Sequence, residues 1–99
     1  MHLVKKVKYK GWNCNLNKSF YHHGERIALY LIDADDGEPV STCTVNIPDE
    51  PLGEGEVLIK DYSENEGMVD FLVQEGVVER TGREVRSGYI SIPVCKLLI

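Results

Sequence analysis

Three groups of side chains in this 99-residue chain have chemistry beyond folding: the acidic run Asp33, Asp35, Asp36 and Glu38, the adjacent His22 and His23, and the cysteines Cys14, Cys43 and Cys95. The acidic run invites comparison with a calcium loop, which wants acidic ligands at positions 1, 3 and 5, glycine at 6 and glutamate at 12. Counted from Asp33, Gly37 falls at position 5 and Thr44 at position 12, so the pattern fails. Asp, Gly and Pro39 together are instead the composition of a hairpin turn. Neighbouring residues on an extended strand point to opposite faces, so His22 and His23 are badly placed to share an ion. No Cys-x-x-Cys or His-x-x-x-His spacing supports them, and they read as exposed turn residues.

Three cysteines at wide, irregular spacing do not make a disulfide framework. Cys43 and Cys95 lie in apolar alternation, and Cys14 shares a face with Trp12 and Leu16. All three are expected to be buried, reduced thiols. A cysteine nucleophile needs a histidine base and a setting that stabilises thiolate, and neither is suggested here. Ser63 is better explained as a helix cap than as a nucleophile. The glycines are scattered through turns, with no Gly-x-Gly-x-x-Gly or phosphate-loop run. The chain is therefore expected to be no enzyme, with no cofactor and no metal site.

Charge is the more informative property. The net charge of −5 conceals a segregation along the chain. Residues 1–26 carry Lys5, Lys6, Lys8, Lys10, Lys18 and Arg26 against Glu25 alone. Residues 27–79 carry fourteen carboxylates against Lys60, and residues 80–99 carry Arg80, Arg83, Arg86 and Lys96 against Glu84. If the basic ends interleave with the acidic middle, the outcome is a set of surface ion pairs worth about 0–1 kcal/mol each, with no functional meaning. If they do not, an acidic surface remains on Asp33, Asp35, Asp36, Glu38, Asp49, Glu50, Glu54 and Glu64. Such a surface repels nucleic acid and speeds encounter with a basic protein. Lys5, Lys6, Lys8 and Lys10 beside Tyr9 and Trp12 offer some support for nucleic acid, but lysines also guard sheet edges. The acidic bulk makes nucleic acid the weaker reading.

The elements that position these groups are mostly strands. Val4–Tyr9 and Trp12–Phe20 read as strands, the second with Trp12, Cys14 and Leu16 inward and Asn13, Asn15 and Asn17 outward. Gly24 is expected to supply a positive φ in the turn that follows. Arg26–Ile32 reads as a central strand, followed by the 33–39 turn, a strand over Val40–Ile47, a Pro- and Gly-rich loop, and a short strand at Val57–Lys60. One helix is expected from about Glu64 to Glu75. Ser63 and Glu66 would form its capping box, Met68, Phe71 and Leu72 its apolar stripe, and Gly76 its C-terminal stop. Val77–Glu79, a turn at Thr81-Gly82 and Tyr89–Leu97 complete the chain, with Pro93 marking an edge strand or a bulge. The expected class is α+β: a mainly antiparallel sheet of six or seven short strands with one helix packed on it, in a single domain spanning residues 1–99. No apolar run approaches the roughly 20 residues that cross a bilayer, and the N-terminus has no apolar signal region. A soluble cytoplasmic protein is expected.

Two stretches, Ile32–Pro39 followed by Thr44–Pro48, and Lys60–Met68 continuing to Gly76-Val77-Val78 and Thr81-Gly82-Arg83, carry a resemblance. Together with the tail from Gly88 to Leu97, they resemble a family of short proteins of unknown function found on bacterial phages, plasmids and conjugative elements. The resemblance implies a habitat among accessory genes of mobile DNA, and brings no activity or site residue with it. Small acidic proteins in that setting often inhibit host defence by binding an enzyme or mimicking nucleic acid. The expectation is thus a non-catalytic protein that offers its acidic surface to a basic protein target, such as a nuclease or defence complex. The alternative is a structural or regulatory accessory protein that dimerises through an open sheet edge. Either a monomer or a homodimer fits the sequence.

Overall fold

A computed structural model describes residues 2–23 and 25–99. Its elements follow the chain as β1 (His2–Tyr9), β2 (Trp12–Phe20), β3 (Ile27–Asp33), β4 (Pro39–Thr42), β5 (Glu56–Leu58), α1 (Met68–Gln74), β6 (Val78–Ser87) and β7 (Ile90–Leu97), with one turn of 3-10 helix at Ser63–Asn65 before α1. All strand pairs are antiparallel. They form a four-stranded sheet ordered β1-β2-β3-β4 and a three-stranded sheet ordered β5-β7-β6. The expected α+β class is the observed one. The position assigned to Gly24 lies outside the described residues.

The two sheets meet at a seam. After β4 the chain continues through Cys43, whose N–H donates to Leu29 O, and Thr44, which bridges Ile59. Lys60 N–H donates to Cys43 O and Val45 N–H to Leu58 O. The expected strand over Val40–Ile47 therefore exists only as far as Thr42; beyond it the backbone changes partners from the larger sheet to the smaller. Thr44 is buried, and its hydroxyl has two partners, Tyr21 Oη at 2.8 Å and the Leu29 N–H at 3.3 Å. Burial of such a group costs little when it is hydrogen-bonded in this way.

The main core lies between the larger sheet, the smaller sheet and α1. Val7, Tyr9, Cys14, Leu16, Leu29 and Leu31 come from the larger sheet, and Val57, Val78 and Cys95 from the smaller. Met68, Val69 and Leu72 come from α1. A second cluster of Leu58, Val85, Ile92 and Val94 lies under Val45, Ile47, Leu52 and Tyr62. The helix reaches from one sheet to the other. Phe71 meets the Tyr9 ring edge-on at 5.0 Å, and Asp70 pairs with Arg80 of β6.

The helix is shorter than its sequence suggests. Gly67 stands at its N-cap with φ +91° and breaks the run that would have begun at Glu64, and Ser63 is itself left-handed with φ +54°. The expected Ser63–Glu66 capping box does not form. Asp61 takes its place: its Oδ1 accepts the N–H groups of Gly67 at 2.6 Å and Met68 at 3.0 Å. The C-terminus ends as expected, with Gly76 at φ +72° and the bonds Gly76 N–H to Val73 O and Val77 N–H to Leu72 O, the 5→2 and 6→1 pair of a Schellman stop.

Thr81-Gly82 is not a turn. It is a bulge inside β6, where the register slips between Arg80 and Glu84. Thr81 Oγ1 donates to Val94 O at 2.7 Å and accepts the Arg83 N–H at 3.1 Å. Pro93 sits opposite Glu84 at the far side of this bulge. Neither setting expected for it holds in β7 itself, which is the central strand of its sheet; the bulge is in the facing strand β6.

Candidate functional site: the acidic turn and Trp12

The β3–β4 turn is built by its own carboxylates. Asp33 Oδ1 accepts the backbone N–H groups of Asp35 at 2.7 Å and Asp36 at 3.4 Å, and Asp36 Oδ1 accepts that of Glu38 at 2.9 Å. The main chain closes through Asp33 N–H to Glu38 O and Gly37 N–H to Asp33 O, with Gly37 at φ +77°. Each aspartate commits one oxygen at most to the turn. The rest of the carboxylate charge faces water, since Asp35, Asp36 and Glu38 are exposed and Asp33 half-buried.

Beside this turn stands Trp12, at the start of β2 just after the tight Lys10-Gly11 turn. Its parity is that of Cys14 and Leu16, as expected, but it lies at the end of the sheet, past the core, and is 56% exposed. Two open hollows flank it. One, of about 330 Å³, is lined by Trp12, Asp33, Asp36, Glu38, Pro39 and Val40. The other, of about 180 Å³, includes Tyr9, Lys10, Trp12, Val40, Ser41 and Glu64 in its lining. Trp12 and Val40 belong to both, so the two are halves of one trough.

The remaining acidic candidates do not join a single surface. Asp49 and Glu50 lie at the opposite end of β3, where Arg26 Nη2 donates to Pro48 O and Glu50 O. Seven residues of strand put them roughly 20 Å from the turn. Glu54 is on the loop before β5. Glu64 adjoins the trough but is neutralised: Lys60 Nζ contacts its carboxylate at 2.5 Å, and that hydrogen bond holds its pKa below the ordinary value. Among the described residues four ion pairs form, Lys5–Glu75, Lys60–Glu64, Arg80–Asp70 and Arg83–Glu56. Basic ends do meet the acidic middle there. None of these pairs involves Asp33, Asp35, Asp36 or Glu38.

The groups with nucleophilic or ligand chemistry are placed apart. Cys14, Cys43 and Cys95 are all buried and free. Burial raises each thiol, Cys43 to about 12. His22 and His23 are exposed in the β2–β3 turn. Among the described residues no three His, Cys, Asp or Glu side chains converge as a metal site would require, and no helix is long and apolar enough to cross a membrane.

A thiol with a folded pKa near 12 against an unfolded value near 9 stabilises the fold fully below pH 9 and loses that contribution as pH rises towards 12. At pH 8 the folded protein is therefore expected to resist alkylation by iodoacetamide at all three cysteines and to label fully in guanidinium. Rapid labelling of Cys43 under native conditions, read by mass spectrometry, would show that its burial is wrongly assigned.

Sequence reasoning missed the exposure of Trp12. Its alternation with Cys14 and Leu16 gave the face correctly but not the distance from the core. The signal that could have found it was the Lys10-Gly11 turn immediately before it, which places Trp12 at a sheet end. Comparison with family models, with curated proteins and with solved structures finds no match for this chain.

Proposed function

We propose that this chain is a non-catalytic binding protein whose acidic turn, beside Trp12, docks on a basic protein surface. One observation carries the reading: the four carboxylates of the turn lie at one sheet end without an ion pair to any described lysine or arginine, whereas other carboxylates of the same acidic segment are paired. An unneutralised cluster of one sign raises the rate of encounter with a surface of the other sign. The resemblance to short proteins of mobile elements directs the search towards nucleases and defence complexes, whose nucleic-acid sites are basic. In that setting the chain acts as an inhibitor that occupies such a site.

The test must remove charge without dismantling the turn. Asp33→Asn, Asp35→Asn, Asp36→Asn and Glu38→Gln together keep one acceptor oxygen on each side chain, enough for the turn bonds of residues 33 and 36, and delete four charges. Immobilised wild-type chain is expected to retain basic proteins from bacterial lysate at low salt. The quadruple variant should lose on the order of tenfold in recovery, while Asp49→Asn with Glu54→Gln should lose little. Equal recovery by wild type and quadruple variant would sink the reading.

A further inference from the structure

We infer that Trp12 is the anchoring platform of this surface and that it recognises an arginine side chain on an extended segment of the partner. The inference rests on the reading above and adds the group recognised. Three other aromatic faces carry one of the chain's own lysines: Lys10 Nζ lies 5.3 Å from the Tyr9 ring centre, Lys18 Nζ 5.7 Å from Phe20, and Lys60 Nζ 5.7 Å from Tyr62. No described cation covers Trp12, although indole is the best of the aromatic faces for one. Lys10, the nearest in sequence, is turned to the backbone oxygen of Glu64 at 2.9 Å.

The surroundings fit a guanidinium. One half of the trough combines the indole with the apolar surface of Pro39 and Val40 and with the carboxylates of Asp33, Asp36 and Glu38. A planar cation that stacks on the ring can keep its edge N–H groups directed at a carboxylate, which is the geometry arginine offers and lysine does not. The adjoining half adds the edge of the buried Tyr9 side chain, together with Lys10 and the Lys60-paired Glu64, to the rim around the indole. A single exposed tryptophan with unpaired carboxylates along one side has the composition of an interface anchor.

Trp12 is the only tryptophan in the chain, so its emission reports the site directly. The probes are two synthetic nonapeptides, alternating Gly-Arg and alternating Gly-Lys, titrated at low salt. The arginine peptide is expected to change Trp12 emission and to bind several-fold more tightly than the lysine peptide. With a dye-labelled arginine peptide read by anisotropy, Trp12→Ala should weaken binding about tenfold and Trp12→Phe should restore part of it. Circular dichroism checks that each variant is folded. Equal affinity for the two peptides, equal affinity of wild type and Trp12→Ala, or no binding of the arginine peptide would each overturn the inference. If the quadruple neutral variant loses the peptide while Trp12→Ala does not, the acidic docking surface stands and the tryptophan platform falls. If the lysate experiment fails, the docking surface falls by its own measurement.

Discussion

Replacing Asn65 with alanine is expected to lower the unfolding free energy by about 1–3 kcal/mol, because it removes two part-buried hydrogen bonds made by a buried side chain. Asn65 is 1% exposed. Its Oδ1 accepts the Ser41 hydroxyl at 2.7 Å, and its Nδ2 donates to Thr42 O at 2.7 Å. Ser41 and Thr42 belong to β4, the outer strand of the larger sheet, so one side chain latches that edge to the segment leading into α1. Asn65→Asp keeps the acceptor for Ser41, but it sets a carboxylate oxygen where an amide faced the Thr42 carbonyl. It should be at least as damaging. Urea denaturation followed by far-ultraviolet dichroism checks both; an Asn65→Ala midpoint equal to wild type would mean that pairing with β3 alone holds β4.

Leu72→Ala is expected to cost about 2–5 kcal/mol, the usual range for emptying a buried leucine site. Leu72 is fully buried, and α1 has only seven residues. A helix of two turns does not persist in water by itself. It is held by Met68, Val69 and Leu72 on the core and by the Asp61 and Gly76 stops at its ends. The loss should therefore also appear as faster amide exchange at Phe71 and Glu75 than at the β2–β3 pairs. A change below 1 kcal/mol would indicate that Phe71 and Val73, only half-buried, carry the packing instead.

The strand pattern was legible because it depends on local alternation and turn chemistry. Cys14 with Leu16, and Leu29 with Leu31, repeat every second residue on one face, and Asp33–Pro39 encodes its turn through its own side chains. The helix start was not legible. Ser63 and Glu66 satisfy a capping-box pattern, yet Gly67, the residue just after it, adopts a positive φ and starts the helix afresh, and the cap comes from Asp61, outside the pattern. Thr81-Gly82 misled in a similar way: a dipeptide typical of turns here makes a bulge, because β7 supplies Val94 O as a partner that sequence spacing does not reveal. The acidic site was legible only in part. Linear charge counting grouped Asp33 with Asp49 and Glu54, which β3 and the seam hold apart. It could not place Trp12 next to the turn, since that contact is made by the pairing of β2 with β3.

The strand orders bear on how the chain reaches this form. In the larger sheet every neighbour in space is the next strand in sequence, so it can close one short loop at a time, and each closure costs little entropy. β7 lies instead between β5 and β6, and its pairing with β5 spans the helix and the whole of β6. Until that pairing forms, Val57 is not joined to Val78 through β7. The β6–β7 hairpin closes as locally as any pair of the larger sheet, through its two-residue turn at Gly88-Tyr89, so the docking of β5 on that hairpin is the long-range closure that seals the interior.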